Sequence, residues 1–405
     1  MRSRRRILPA SRSIGVLVAL CLAACSSGNS SPSSTGSSPA SSPVASSLGS
    51  GSATAQPAIT LFGDLPTKDV DATSAAKLQT VLDKAIEAGS PAVLAAVLRP
   101  QGVWAGAAGI DGPAGRKATP NDVWAIASIS KTFTAALVFR LAEAGKVDLD
   151  KPLSNYLGAV KANTNGATVR QALAMRSGIP DTPDSFITMV NAAPKRVWTT
   201  PEIIAAIPPA IASAGAQYDY SNPTYKLLDL AAEQVTGSSL ASAMRSEVLD
   251  PAHSPVSLLV QSAALPTPKP WALPITSDAL DVAQYGAGGA LPSVSDATFS
   301  LAAAGMAGDA RSLASWAWQL FAGKIVTKES LAAMAQVDAD GHGLGLDKLA
   351  DFGSTVAFGY SGSKSGYESL LVVFPERQEV VVVCVTQRGA DVAKIAADLL
   401  NASSG

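Results

Sequence analysis

The chain has 405 residues, a formal net charge of −1 and 16% charged residues, against 47% hydrophobic ones. Nothing in that balance supplies the basic excess that nucleic acid or an anionic membrane face demands, so no nucleic-acid partner is expected.

Arg2, Arg4, Arg5, Arg6 and Arg12 surround the start of an apolar run from Ile14 to Ala24, which ends Leu22-Ala23-Ala24-Cys25. A basic start, a short apolar stretch and small residues before a cut describe a secretory signal, not a spanning helix. The ending looks like a bacterial lipobox. It implies a diacylglyceryl group on Cys25 and a protein anchored to the outer face of the cell membrane. An ordinary signal with an incidental cysteine is the plainer alternative. Ser3-Arg4-Arg5-Arg6-Ile7-Leu8 is also weakly similar to a twin-arginine export motif. Ser26 to about Pro57 is almost entirely Ser, Gly, Pro, Ala and Thr. It has too little apolar surface to offset its ordering entropy and reads as a disordered tether, with ends on the order of 30 Å apart. The organisation is therefore a signal and lipid site over 1–25, a tether over 26–57 and one folded domain over 58–402. Of the three cysteines, Cys21 leaves with the signal and Cys384 lies in an apolar strand run, so the mature domain has no internal disulfide.

Within the domain, Asp71 to Glu87 has helical spacing at Leu78, Val81, Leu82 and Ile86 and stops at Gly89. Pro91–Leu98 and Val103–Ala108 read as strands joined by a Pro100-Gln101-Gly102 turn. Val123–Ala127 leads into a helix over Thr132–Ala144, closed by Gly145. Further helices are predicted at Thr168–Met175, Pro201–Ala214, Asn222–Val235, Leu240–Leu249 and Ala310–Phe321. Trp316 and Trp318 cannot share one helix face, so one is expected to pack and the other to sit at a boundary. Leu370–Phe374 and Val380–Thr386 form an apparent hairpin across Pro375-Glu376-Arg377-Gln378, and Ala390–Leu400 closes as a helix. Strand runs at both ends and helices between them predict an α+β domain. Its antiparallel sheet draws on about 58–125 and 355–402, the end helices cover it, and a helical insert spans about 126–340.

Ser-x-x-Lys occurs three times, at Ser74–Lys77, Ser128–Lys131 and Ser361–Lys364. Ser74 starts an amphipathic surface helix, where serine serves as a cap, and Ser361 lies in a Gly- and Ser-rich loop. Only Ser128 falls at a strand-to-helix junction. There the lysine shares a helix face with the serine, and the helix N-terminus favours developing negative charge. A lysine so placed activates a serine without histidine. Alone, the pair is equally a helix cap beside a solvated lysine. Tyr220-Ser221-Asn222 adds a second proton-handling group and a substrate-holding amide. Tyr218, two residues earlier, reads as an apolar packing residue. His253 and His342 have no ligand partners at metal spacing, and no Gly-x-Ser-x-Gly elbow exists, so neither a zinc site nor an α/β-hydrolase is expected.

Trp124–Ala135, Gly145–Leu153, Ser177-Gly178, Tyr220-Ser221-Asn222, Leu344-Gly345-Leu346, Gly359–Tyr367 and the Leu370–Thr386 hairpin together resemble the class C β-lactamase and penicillin-binding-protein-like serine hydrolases. The similarity runs from about Leu78 to Leu400 in the family's order. It implies the β-lactamase/transpeptidase-like fold and an acyl-enzyme mechanism without a cofactor. Ser128 would attack, Lys131 would take its proton, Tyr220 would serve the leaving group and later water, and Asn222 would hold substrate. The backbone N–H groups of Ser128 and Ser363 would form the oxyanion hole. In the family's Lys/His-x-Gly motif this chain has Tyr360, Ser361 and Gly362 as substrate-binding positions. A neutral phenol in place of a cation weakens carboxylate recognition and tilts the expectation towards esters or amides that lack one, turned over slowly. Lys364 is a candidate to restore the charge. The substrate class is a small-molecule or peptidoglycan-like ester or amide, the activity esterase-, β-lactamase- or D-alanyl carboxypeptidase-like. A catalytically silent envelope protein that binds peptidoglycan fragments or a protein is the alternative, motivated by Tyr360.

Overall fold

The computed structural model describes residues 59–403 apart from 113–114, 259–292 and 365. The signal, the Cys25 lipidation site and the tether lie outside the described residues.

Seven strands form the main sheet: β1 (Ala92–Arg99), β2 (Gly102–Asp111), β3 (Arg116–Lys117), β7 (Asp347–Lys348), β8 (Phe358–Lys364), β9 (Tyr367–Phe374) and β10 (Glu379–Val385). Their order is β3-β2-β1-β10-β9-β8-β7, antiparallel throughout. The two ends of the chain meet where β1 pairs with β10, Val93 opposite Val385 and Leu98 opposite Val380. Both strands are covered on both faces, which is why they read as unbroken apolar runs. Leu94, Ala96, Leu98, Val380, Val382 and Cys384 face the large core shared with the insert. Val93, Ala95, Val97, Val381, Val383 and Val385 face a second core under the helices Ala72–Glu87 and Val392–Ala402. The alternation is the strand period of two.

The N-terminal helix begins one residue later than predicted because Asp71 caps it, accepting from the Ser74 N–H at 2.9 Å and the Ser74 hydroxyl at 2.7 Å. Ser74 is thus occupied locally, away from chemistry. The predicted helix over Pro201–Ala214 is shorter than expected, Thr200–Ala205. Pro208 and Pro209 remove two N–H donors and push the preceding residues out of helical geometry. Leu240–Leu249 is helical only to Met244 and then widens into a π-type turn over Arg245–Leu249. The insert carries helices at Asp184–Ala192 and Val294–Ala304 that the pattern did not isolate. Three two- or three-residue strands join here, β4 (Trp124–Ala125) at its entry and β5 (Ser257–Leu258) and β6 (Met306–Gly308) within it. They form a small sheet in the order β4-β6-β5.

Both Trp316 and Trp318 are buried, against the expectation of one at a boundary. Helix Ala310–Phe321 is enclosed on opposite sides. Trp316 stacks on Phe133 of the insert at 3.7 Å, while Trp318 meets Phe62 at 4.9 Å and donates its indole N–H to the Gly63 carbonyl. The segment preceding the sheet wraps the helix, and no local period signals that.

Candidate active site

The chain reaches the candidate nucleophile through a tightly held corner. Pairing of β4 with β6 continues as the Ile126 N–H donates to the Met306 carbonyl at 3.0 Å. Ala127 then takes φ of 50°, a left-handed conformation costly for a residue with a Cβ. A 3₁₀ turn over Ala127–Ile129 presents Ser128, half-buried, and leads into the helix Ser130–Glu143. That helix is buried from Ser130 to Phe139. Lys131 is therefore shielded from bulk water, with a relative exposure of 0%.

The amine of Lys131 lies 3.2 Å from Ser128 Oγ, 2.6 Å from Asn222 Oδ1 and 2.8 Å from the Ala303 carbonyl. Burial lowers its pKa from 10.5 to about 7, with Asp181, Asp229 and Asp347 opposing the shift. A neutral amine has two N–H donors and one lone pair. With Asn222 Oδ1 and the Ala303 carbonyl taking the donors, the lone pair faces Ser128. The Tyr220 hydroxyl lies 2.5 Å from the same Ser128 oxygen. Burial raises the phenol's pKa and the Ser128 hydrogen bond lowers it in part, so Tyr220 stays protonated at neutral pH. Ser128 can then donate to Lys131 while accepting from Tyr220.

Three supports hold this arrangement. Asn222 opens the helix Asn222–Thr236, whose cap Ser221 accepts from the Thr224 N–H at 3.2 Å and whose first turn carries Pro223. Asp181 accepts both the Asn222 backbone N–H and its Nδ2, each at 3.0 Å, which turns Oδ1 towards the lysine. One helical turn and then two beyond Asn222, the helix carries Lys226 and Asp229, both buried. Asp229 accepts from the Thr134 hydroxyl at 2.9 Å and from the backbone N–H groups of Ala302 and Ala303; burial raises its pKa to about 8. It thereby ties together the two elements that surround Lys131. The break at Leu301, φ 49° and ψ −148°, precedes the turn that shows the Ala303 carbonyl to the amine.

Strand β8 closes the other side. A Cβ on Gly362 would fall 2.4 Å from the Ile126 carbonyl, so only glycine lets the strand lie against the corner that carries Ser128. Ser363 follows at once. A cleft of 390 Å³ opens over Ser128, Asn222 and Ser363. Tyr360, Ser361 and Gly362 do not line it: Tyr360 is buried at 5% exposure, with burial and nearby Tyr220 raising its pKa, Ser361 is exposed, and Gly362 is buried against the Ile126 carbonyl. Lys364 lines the cleft but does not reach the Tyr360 position. Asp296 holds its amine at 2.8 Å, with Ser300 Oγ at 2.8 Å and the Ala304 carbonyl at 3.1 Å. Tyr218 packs as expected, stacked on His342 at 3.6 Å, and His342 Nδ1 faces Asp347 at 3.3 Å.

The structure thus brings Ser128, Lys131, Tyr220 and Asn222 together, with Ser363 beside them. Sequence reasoning missed Asp181, Asp229, Lys226 and the Ala303 carbonyl. A signal for two of them was present, since Asn222, Lys226 and Asp229 place charge on one face of an apolar helix. Asp181→Ala is expected to lower kcat/KM about 10–100-fold, by freeing the Asn222 amide to rotate. Steady-state kinetics with circular dichroism checks it, and unchanged kinetics in a folded variant would remove Asp181 from the support.

Fold and site together define a β-lactamase-like serine hydrolase. A family model described as Beta-lactamase matches residues 72–403, and the chain belongs to that family. It is similar to the Staphylococcus aureus (strain N315) "Protein flp", 32% identical over 143 residues, 34% of this chain and 28% of that protein. The match therefore spans under a third of that curated relative's length. Among solved structures, a D-stereospecific amidohydrolase from Streptomyces sp. is 25% identical with a TM-score of 0.65, covering 81% of this chain and 98% of its own. A D-amino acid amidase from Ochrobactrum anthropi SV3, solved with L-phenylalanine, is 21% identical with a TM-score of 0.70, covering 82% and 98%. The second likeness speaks to the fold.

Proposed function

We propose that the protein is an exported, lipid-anchored serine hydrolase that cleaves an ester or amide through an acyl-enzyme on Ser128. One observation carries the reading: a fully buried Lys131 amine, its pKa lowered to about 7, bonded to Ser128 Oγ while Tyr220 bonds the same oxygen. Lys131 takes the Ser128 proton as Oγ attacks the carbonyl carbon. The backbone N–H groups of Ser128 and Ser363 receive the oxyanion; donors of that kind are worth roughly 3–4 kcal/mol of barrier each in acyl transfer. Tyr220 donates its proton to the departing oxygen or nitrogen, and the proton on Lys131 restores it. Water then attacks the acyl-enzyme by the same path reversed. A silent pocket has no chemical need for this set of groups, which favours the enzyme over a binding protein. Likeness to D-stereospecific amide hydrolases supports amides of D-configured acyl groups as candidates beside simple esters. The buried, neutral Tyr360 supports a leaving group without a carboxylate.

The test is direct. A fluorophosphonate probe should add its mass to the wild type and not to Ser128→Ala, and a 4-nitrophenyl ester should be cleaved faster than a chromogenic cephalosporin. Absence of any Ser128-dependent adduct would falsify the nucleophile assignment and favour the silent reading; faster cephalosporin turnover would reverse the ester preference. The anchor is checked separately. Cells fed a labelled fatty acid should incorporate it into the wild type and lose at least about nine-tenths of the label in Cys25→Ala; equal labelling removes the lipid site.

A further inference from the structure

The cleft beside Ser128 contains a buried lysine, Lys226, that the mechanism does not use. Lys226 is 3% exposed, yet its side chain lines the cleft with Ser128, Asn222 and Phe299. Its amine lies 3.2 Å from the centre of the Phe299 ring. It has no hydrogen-bond acceptor or carboxylate partner among the described residues. The other charged groups of the lining are differently placed. Asp181 is taken up by Asn222, and Asp296 is paired with Lys364. Asp184 is exposed in the first turn of its own helix, where the helix dipole suits it. Arg388 is exposed at the edge. The one ionisable group of the inner lining left without a hydrogen-bonding partner among the described residues is therefore the Lys226 amine, and a group that is costly to leave unpaired is one a ligand can complete.

We propose that Lys226 recognises a carboxylate on the acyl part of the substrate, so that the preferred acyl group is acidic at its far end. This rests on the serine hydrolase reading. The acyl side is indicated because the cleft includes Ser128, Asn222 and Ser363 but not Tyr220, which serves the leaving group. One unengaged amine in a 390 Å³ space suits one small singly charged group. In the empty cleft, burial and the neighbouring amines of Lys364 and Lys131 hold the Lys226 pKa well below its ordinary value, while Asp181 and Asp296 oppose them. A bound carboxylate adds the missing counter-charge and draws a proton onto the amine. The carboxylate preference absent at Tyr360 on one side of the nucleophile is thus supplied on the other.

The experiment compares mono(4-nitrophenyl) glutarate with 4-nitrophenyl butyrate on the full chain, Lys226→Met and Lys226→Gln, with circular dichroism to check folding. The acidic-to-neutral ratio of kcat/KM should fall at least fivefold in both variants. A smaller fall in folded variants overturns the proposal, because a lysine that only packs on Phe299 would depress both esters alike. A wild type that prefers butyrate more than tenfold overturns it without any variant. If the wild type cleaves neither ester, the fluorophosphonate adduct judges the hydrolase reading separately, and calorimetry with glutarate decides for Lys226. Binding lost in both variants sustains Lys226 as a carboxylate site; no binding to the wild type, or equal binding in the variants, ends it.

Discussion

Lys131→Met is expected to lower kcat/KM for ester cleavage by about a hundredfold to ten-thousandfold, the range lost with a positioned general base. Methionine fills nearly the same buried volume, so the fold should survive, although Asn222 Oδ1 and the Ala303 carbonyl lose their donor. The pH dependence separates a chemical from a packing role. The protonated amine has no lone pair, so wild-type kcat/KM should rise as pH climbs through about 7. In Lys131→Met that rise should vanish. Stability follows the same proton. Because the folded pKa lies below 10.5, the unfolded chain holds the extra proton between about 7 and 10.5, and stability increases with pH across that window. The penalty is full below it and amounts to about 5 kcal/mol at most. The melting temperature of the wild type relative to Lys131→Met should therefore climb between pH 7 and 10. A variant keeping more than about a tenth of wild-type activity, with an unchanged pH profile, would take Lys131 out of the proton path.

The second large effect concerns a residue without a side chain. In Gly362→Ala the new Cβ would sit 2.4 Å from the Ile126 carbonyl and 2.8 Å from Ser369 Oγ. The first contact is backbone and has no rotamer to yield. Strand β8 must back away from the nucleophile corner, and Ser363, the next residue, moves with it. Overpacking of this sort costs about 1–3 kcal/mol, and a displacement near 1 Å in a catalytic site costs about a hundredfold in rate. Loss of turnover should exceed any loss of ground-state binding, since the proposed oxyanion contact at Ser363 would strengthen only as charge develops. Thermal denaturation and a kcat against KM comparison read both terms. A folded Gly362→Ala with native kcat would show that the strand approach does not set the oxyanion geometry.

Much of this architecture was legible beforehand because the signals are local. Ser128 and Lys131 are one turn apart, so their meeting follows from helix geometry alone. The apolar runs of β1 and β10 read as strands, and the helices predicted to start at Asp71 and Thr168 begin one residue later, with those two residues as their caps. The Tyr-x-Asn motif pointed to a second proton group, and Tyr360 to a departure. Local pattern failed where a neighbour distant in sequence decided the outcome. Trp318 is packed because residues near Phe62 wrap over it, and the Pro208-Pro209 pair overrode an apolar stretch that otherwise spaced like a helix.

The working state of the lysine belongs to the second kind. Residues one turn apart can place an amine next to a hydroxyl, but they cannot remove water from it. That requires Asn222, 91 positions away, and the Ala303 carbonyl, 172 positions away, to meet at the same nitrogen. It also requires Asp181 to orient the asparagine and Asp229 to hold the backbone around Ala303. Residue types and short spacings name the reacting groups. Desolvation and hydrogen-bond direction set their protonation, and both arise from packing between segments whose order along the chain carries no record of it.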